Sequence, residues 1–173
     1  LHWLRVHPPP FPLPGVRRPT PMHWLEHKIP PPLVAALAGV AMWFTAQASG
    51  GVTDSAPRTA AAVLLALVGL AFDVAGLHAF RRARTTVNPL RPGGASALVV
   101  GGVYRATRNP MYVGLALLLL AWTVYLGAPL ALLGVAAFVA YITRFQIVPE
   151  ERVLAQKFGP EFGAYRSRVR RWL

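Results

Sequence analysis

Two of the six acidic residues in this 173-residue chain are neighbours, Glu150 and Glu151. A second polar group, Arg108-Asn109-Pro110-Met111-Tyr112, opens an apolar block. These side chains can bind and orient charged groups. They contain no cysteine nucleophile and no cluster with metal-ligand spacing, so no metal is expected. Each group has a plain structural reading. An Asn-Pro at a helix start is an ordinary cap, and an acid in a first helical turn complements the dipole. Dipole complementation needs one acid rather than two, however. The residue before a proline is also pushed out of the α region, so the backbone turns at Asn109 and crowds Tyr104, Asn109 and Tyr112 together.

The elements that must position these residues are membrane spans. A spanning helix needs about 20 mostly apolar residues, with a range of roughly 17 to 25. Four blocks meet this or come close, at about 31–49, 59–80, 110–127 and 129–148. Only Gly127-Ala128-Pro129 separates the third from the fourth, which requires an antiparallel helical hairpin with proline in the first turn of its second arm. The start of the third span then lies beside the end of the fourth, and Glu150 and Glu151 are expected near Asn109 and Tyr112. The fold class is therefore all-α integral membrane. It comprises four transmembrane helices, a loop between the second and third, and short C-terminal amphipathic helices.

Lys and Arg placement sets the orientation. Of 18 basic residues, only Arg58 falls in a loop on the far side. Both termini and the loop from Arg81 to Arg108 are thus expected to be cytoplasmic. In the tail (149–173), Pro149-Glu150-Glu151 opens one helix and Gly159-Pro160 stops it. A second helix carries Phe162, Tyr165, Val169 and Trp172 as an apolar stripe, suited to an anionic membrane surface or to the bundle.

Composition agrees. Hydrophobic residues make up 54% and charged residues 14%, against about 25% charged in soluble domains. The net charge of +12 raises nucleic acid as a partner, but the basic residues flank spans instead of forming a stripe interleaved with aromatics, so the bilayer is the expected partner. Residues 1–30 form a proline-rich segment, expected to be disordered, ahead of a single domain over 31–173. Ten of the 17 prolines lie in residues 1–32. The chain opens on Leu1 and Met22 resembles a more ordinary start, so residues 1–21 are expected to be an upstream extension or a mis-assigned start. Asp73 and His78 lie in or near the second span, where ionisable residues are functional candidates. Gly93-Gly94 and Gly101-Gly102 lack the spacing of a dinucleotide-binding fingerprint.

The ordered set Ala97-Leu98-Val99, Gly101-Gly102-Val103-Tyr104, Arg108-Asn109-Pro110-Met111-Tyr112-Val113-Gly114, Pro149-Glu150-Glu151, Phe158-Gly159 and Tyr165 resembles a known group of integral membrane enzymes. These are the isoprenylcysteine carboxyl methyltransferases and phospholipid methyltransferases. The resemblance covers roughly residues 85–173. It implies methyl transfer from S-adenosylmethionine to a lipidic acceptor. By carry-over, the cofactor-binding residues are Ser96, Ala97, Leu98, Val99, Tyr104, Asn109, Pro110, Met111, Tyr112, Glu150 and Glu151. The cofactor carboxylate would suit Arg108 or nearby backbone N–H groups, and Arg108 and Arg144 are the catalytic candidates. The carboxyl methyltransferases carry histidine where this chain has Asn109, and an acceptor-side arginine where it has Gln146. Arg144 is the remaining candidate for an anionic acceptor. A prenylated carboxylate and a phospholipid amine both stay open as acceptors. Other readings are a nicotinamide-dependent membrane reductase and a non-catalytic membrane subunit or small transporter.

Overall fold

The computed structural model describes Glu26, residues 28–50, 52–53, 55–83 and 97–173. Most of the proline-rich segment, Ser96 and Gly93-Gly94 fall outside that set. The described residues form α1 (Pro31–Ala48), α2 (Ala56–Arg82), α3 (Pro110–Leu126), α4 (Leu132–Ile142) and α5 (Val148–Arg168). Short 3₁₀ turns occupy Gly102–Arg105 and Pro129–Ala131, and a π turn occupies Thr143–Ile147. No strand occurs among the described residues.

Proline lies in the first turn of α1, α2, α3 and α5, where its missing N–H would have had no helical acceptor. The α3 helix stops at Gly127, whose φ of 62° is left-handed and so favours glycine. The Arg58 guanidinium also packs where a Cβ on Gly127 would lie. From there the chain reverses into α4, giving the expected hairpin.

Three helical stretches are long and apolar enough to cross a membrane: Pro31–Ala48, Ala56–Arg82 and Pro129–Arg168. The α3 helix is apolar but has 17 residues, about 26 Å at 1.5 Å per residue. Leu37, Phe44, Leu64, Val74 and Leu133 point outward and are between 59% and 68% exposed. Lipid accommodates such a surface, and water would not. The chain is an integral membrane protein of three to four spans.

Backbones approach most closely between α2 and α3. Ala62, Gly69 and Gly76, spaced by seven, are the buried residues of α2, the spacing that keeps one face on a partner helix. A Cβ on Gly69 would come 2.9 Å from the Gly114 carbonyl oxygen, and one on Gly76 would come 2.8 Å from Met111 Cγ. Small residues permit this contact where no hydrophobic effect drives helices together. Asp73 packs its carboxylate against the open side of Gly114. Across the bundle, α1, α3 and α4 share a core of Met42, Leu119, Leu126, Phe138 and Ile142.

The C-terminal part departs from expectation twice. No break separates the fourth span from the tail, because the helix runs from α4 through the π turn into α5. Gly159-Pro160 divides α5 into two helical stretches, as expected, with Gly159 at a non-helical φ of 47° and ψ of −120°. Glycine takes that conformation freely and the helix resumes after it. The helix then ends at Arg168, and Val169 is extended at φ −122° and ψ 133°. Trp172 is therefore not on the helical stripe. Phe162 and Tyr165 bury against Tyr104, with Phe80, Leu98 and Val99 around them. The stripe faces the protein.

Gly114→Ala would bring a methyl group 2.8 Å from the Gly69 carbonyl oxygen and into the Asp73 carboxylate. Overpacking of this kind costs about 1–3 kcal/mol. A drop in Tm in detergent is expected, and an unchanged Tm would show that α2 and α3 can separate freely.

Candidate active site at the α3–α5 junction

The hairpin brings the first turn of α3 to the first turn of α5. There the Tyr112 hydroxyl donates to Glu150 Oε1 at 2.6 Å. Burial pushes the Glu150 carboxyl up to about 8, the Tyr112 hydrogen bond pulls it down in part, and the charge of Glu151 adds to the rise. Among the described residues, no cation pairs with Glu150.

Its neighbour is the opposite case. Glu151 Oε1 accepts from Arg108 Nη2 at 2.7 Å and from Arg171 Nε at 3.1 Å, and Oε2 accepts from Arg171 Nη2 at 2.7 Å. Burial alone would raise this carboxyl, but the Arg171 and Arg108 hydrogen bonds outweigh it and hold it below the usual carboxylate range. The two adjacent acids thus divide: Glu151 is saturated by guanidinium groups, and Glu150 has one phenol.

Residues 169–172 run back as a strap along the segment leading into α3. The Arg108 backbone N–H donates to Arg170 O at 2.9 Å. Arg108 Nη1 donates to Val169 O at 2.5 Å and to Arg166 O at 3.2 Å. Arg171 O accepts from Asn109 Nδ2 at 2.9 Å and from Thr107 Oγ1 at 3.2 Å. Tyr165 donates to Tyr104 O at 2.7 Å, and Tyr104 meets the Phe80 ring edge-on at 5.5 Å. Burial raises both phenols, Tyr165 to about 12 and Tyr104 further. Trp172 Nε1 donates to Thr143 Oγ1 at 3.1 Å, fixing the end of the strap to the π turn.

The structure brings together Tyr104, Arg108, Asn109, Pro110, Tyr112, Glu150 and Glu151. Leu98 and Val99 pack beside Tyr104, and Ala97 precedes them. Ser96 lies outside the described residues. Met111 faces Gly76 across the helix pair, so its side chain serves packing against α2. Arg144 is 41% exposed, lies 3.6 Å from Glu26 Oε1 and stacks over Phe145 at 5.5 Å. Asp73 belongs to the α2–α3 contact. Two participants escaped sequence reasoning. Arg171 was one arginine among several in a basic tail, and Thr107 carried no signal. Gln146 stood out only by resemblance, yet it is fully buried and donates Nε2 to Ile29 O at 2.8 Å.

The profile of the phospholipid methyltransferase family matches residues 57–161, which takes in α2, α3, α4 and both glutamates. The chain belongs to this family. An uncharacterised protein of Haemophilus influenzae (strain ATCC 51907 / DSM 11121 / KW20 / Rd) is 54% identical over 63 residues, 36% of this chain and 100% of that protein. No solved structure matches. The protein is thus a membrane methyltransferase, and its strap, beyond residue 161, extends past the matched region.

In this methyltransferase Arg171→Ala removes both guanidinium bonds that join the strap to Glu151. Backbone amides of residues 166–172 are expected to exchange hydrogen at least tenfold faster in Arg171→Ala than in the wild type. Unchanged exchange would show that the carbonyl contacts alone hold the strap.

Proposed function

We propose that this protein transfers a methyl group from S-adenosylmethionine to a lipidic acceptor at the cytoplasmic face of the membrane. The observation that carries this reading is Glu150, a carboxyl shielded from solvent, held by Tyr112 and, among the described residues, left without a cation. A buried carboxyl calls for a positive partner, and the ammonium of the cofactor has the required charge. Arg108 supplies the complement. Its Nε is buried and has no hydrogen-bond partner, so it can receive a carboxylate. The Tyr104 and Tyr112 rings suit a sulfonium. Ser96, Ala97, Leu98, Val99, Asn109 and Pro110 complete the donor side, with Met111 and Glu151 in support through packing and through the strap.

When bound, S-adenosylmethionine supplies an electrophilic methyl group. The residues of the chain bind, orient and exclude water. Tyr112 fixes the Glu150 carboxyl in one orientation, and Glu151 holds Arg108 against the strap. In-line displacement depends chiefly on alignment, which helices provide better than loops. The acceptor is an amine or a carboxylate carried on a lipid, with Arg144 the cation available to the latter. The excess of basic residues on the site's side of the spans supports a cytoplasmic orientation.

Binding should depend on pH through Glu150. In the free protein its carboxyl titrates near 8, so at pH 7 it is mostly protonated, whereas an ammonium ligand needs it ionised. Affinity for S-adenosylhomocysteine should rise about tenfold per pH unit from pH 6 towards 8 and then level. Isothermal titration of Glu150→Gln should give weak binding with a flat profile. The folded-state value lies above the ordinary 4.5, so ionising Glu150 costs stability as pH rises through that window. Glu150→Gln should therefore melt no lower than wild type at pH 8. A pH-independent wild-type affinity, or binding of NADPH in its place, would contradict the reading.

A further inference from the structure

Six exposed arginines gather on the side of the bundle that holds the site. They flank one small aromatic cluster: Arg81 and Arg82 follow Phe80, Arg105 follows Tyr104, and Arg166, Arg168 and Arg170 follow Tyr165. Of their side chains only Arg168 forms a hydrogen bond, to the Ala164 carbonyl oxygen at 3.1 Å, and none meets a carboxylate among the described residues. Glu26, Glu150 and Glu151 are engaged by Arg152, by Tyr112 and by Arg108 with Arg171. Glu161 is the acid that remains on this side. Like charges held together without counter-ions repel one another and set up a potential that attracts anions.

Their height along the spans identifies the anion. Gly76 of α2 meets Pro110 and Met111 at the start of α3, so residues 77–82 carry α2 about 9 Å past that point. The arginines stand there, just beyond the apolar spans and level with lipid phosphates. Basic clusters beside a span recognise anionic headgroups in this way. Phe162 and Tyr165 turn the apolar side of the same stretch towards the protein. The face left for the bilayer is the charged one, which suits headgroups and not acyl chains.

The cluster is complete only when the strap is closed. The Tyr165–Tyr104 hydrogen bond and the Arg108–Arg170 backbone contact bring Arg105 to Arg166 and Arg170. Carbonyl oxygens of the same strap hold Arg108 and Asn109. A surface of many anions therefore binds the closed strap more tightly than the open one. By linkage it favours any ligand that needs those two residues in place.

We propose that this arginine cluster is a docking site for anionic phospholipid headgroups, and that such lipids close the strap over the donor site. The lipid acts here as an effector and not as a methyl acceptor. Coupling to the donor rests on the reading of Glu150 and Arg108 given above, whereas docking itself does not.

The test uses the whole protein in phosphatidylcholine nanodiscs, with or without an equal part of phosphatidylglycerol. In the anionic discs wild type should bind S-adenosylhomocysteine at least fivefold more tightly, and backbone amides of residues 166–172 should exchange at least fivefold more slowly. An acidified surface alone acts the other way, because protonating Glu150 weakens its contact with the ligand ammonium. The triple variant Arg105→Gln/Arg166→Gln/Arg170→Gln removes three cations whose side chains bond nothing among the described residues, and it keeps the strap carbonyls. It should match wild type within twofold in neutral discs and gain less than twofold in anionic ones. Arg105→Lys/Arg166→Lys/Arg170→Lys should recover the gain. Equal wild-type exchange in both discs, a glutamine variant that keeps the gain, or a lysine variant that loses it would overturn the docking site. The same gain from inorganic phosphate in neutral discs would also overturn it, by marking a soluble anion as the ligand. Slowed exchange with an unchanged Kd would overturn the coupling. Slowed exchange with no S-adenosylhomocysteine binding in either disc would uphold docking and sink the donor reading.

Discussion

The site depends on one hydrogen bond, from the Tyr112 hydroxyl to Glu150 across the crossing of α3 and α5. It fixes the Glu150 carboxyl without supplying a counter-charge. A guanidinium in the phenol's place would have given a stable ion pair and no vacancy for a ligand's charge. Glu151 shows that alternative one residue along, where two arginines saturate the carboxylate and bind the C-terminal strap to the segment ahead of α3. Adjacent residues of one type thus do different work: one acid holds the scaffold, and the other keeps its capacity for a cation. That fits the general pattern in which neighbouring titratable groups at active sites are driven apart by their surroundings.

The rest of the fold keeps those two turns in place. Glycines at 69, 76 and 114 let α2 and α3 approach backbone to backbone, so the start of α3 is set by contact with a long rigid helix. Gly127 turns the chain immediately into α4, which fixes how far α5 begins from Tyr112. The strap adds a third constraint, since the Arg171 carbonyl oxygen holds both Thr107 and Asn109. Residues of the candidate site from three separate stretches are therefore tied together by hydrogen bonds, as alignment-controlled chemistry requires.

Much of this was legible in the sequence because membrane constraints are severe. Apolar block lengths gave the helices to within a few residues, and a three-residue gap at 127–129 admitted only a hairpin. That hairpin alone requires Glu150 to lie beside Tyr112, as it does. The division of labour between Glu150 and Glu151 was not legible, because it depends on Arg171, whose type and setting match the other tail arginines. Nor did the sequence reveal that Trp172 leaves the helix. A stripe at spacings of three and four says nothing of Val169 turning extended to let Arg170 and Arg171 offer their carbonyls to Arg108, Thr107 and Asn109. The π turn was equally hidden, since its residues Thr143–Ile147 carry no signature of an inserted position.

The most direct test is an experimental structure of the protein with S-adenosylhomocysteine bound. The account predicts its amino group at hydrogen-bonding distance from the Glu150 carboxyl, with the Tyr112 contact retained and the ligand carboxylate towards Arg108. A ligand seated elsewhere, with Glu150 still paired only to Tyr112, would contradict it.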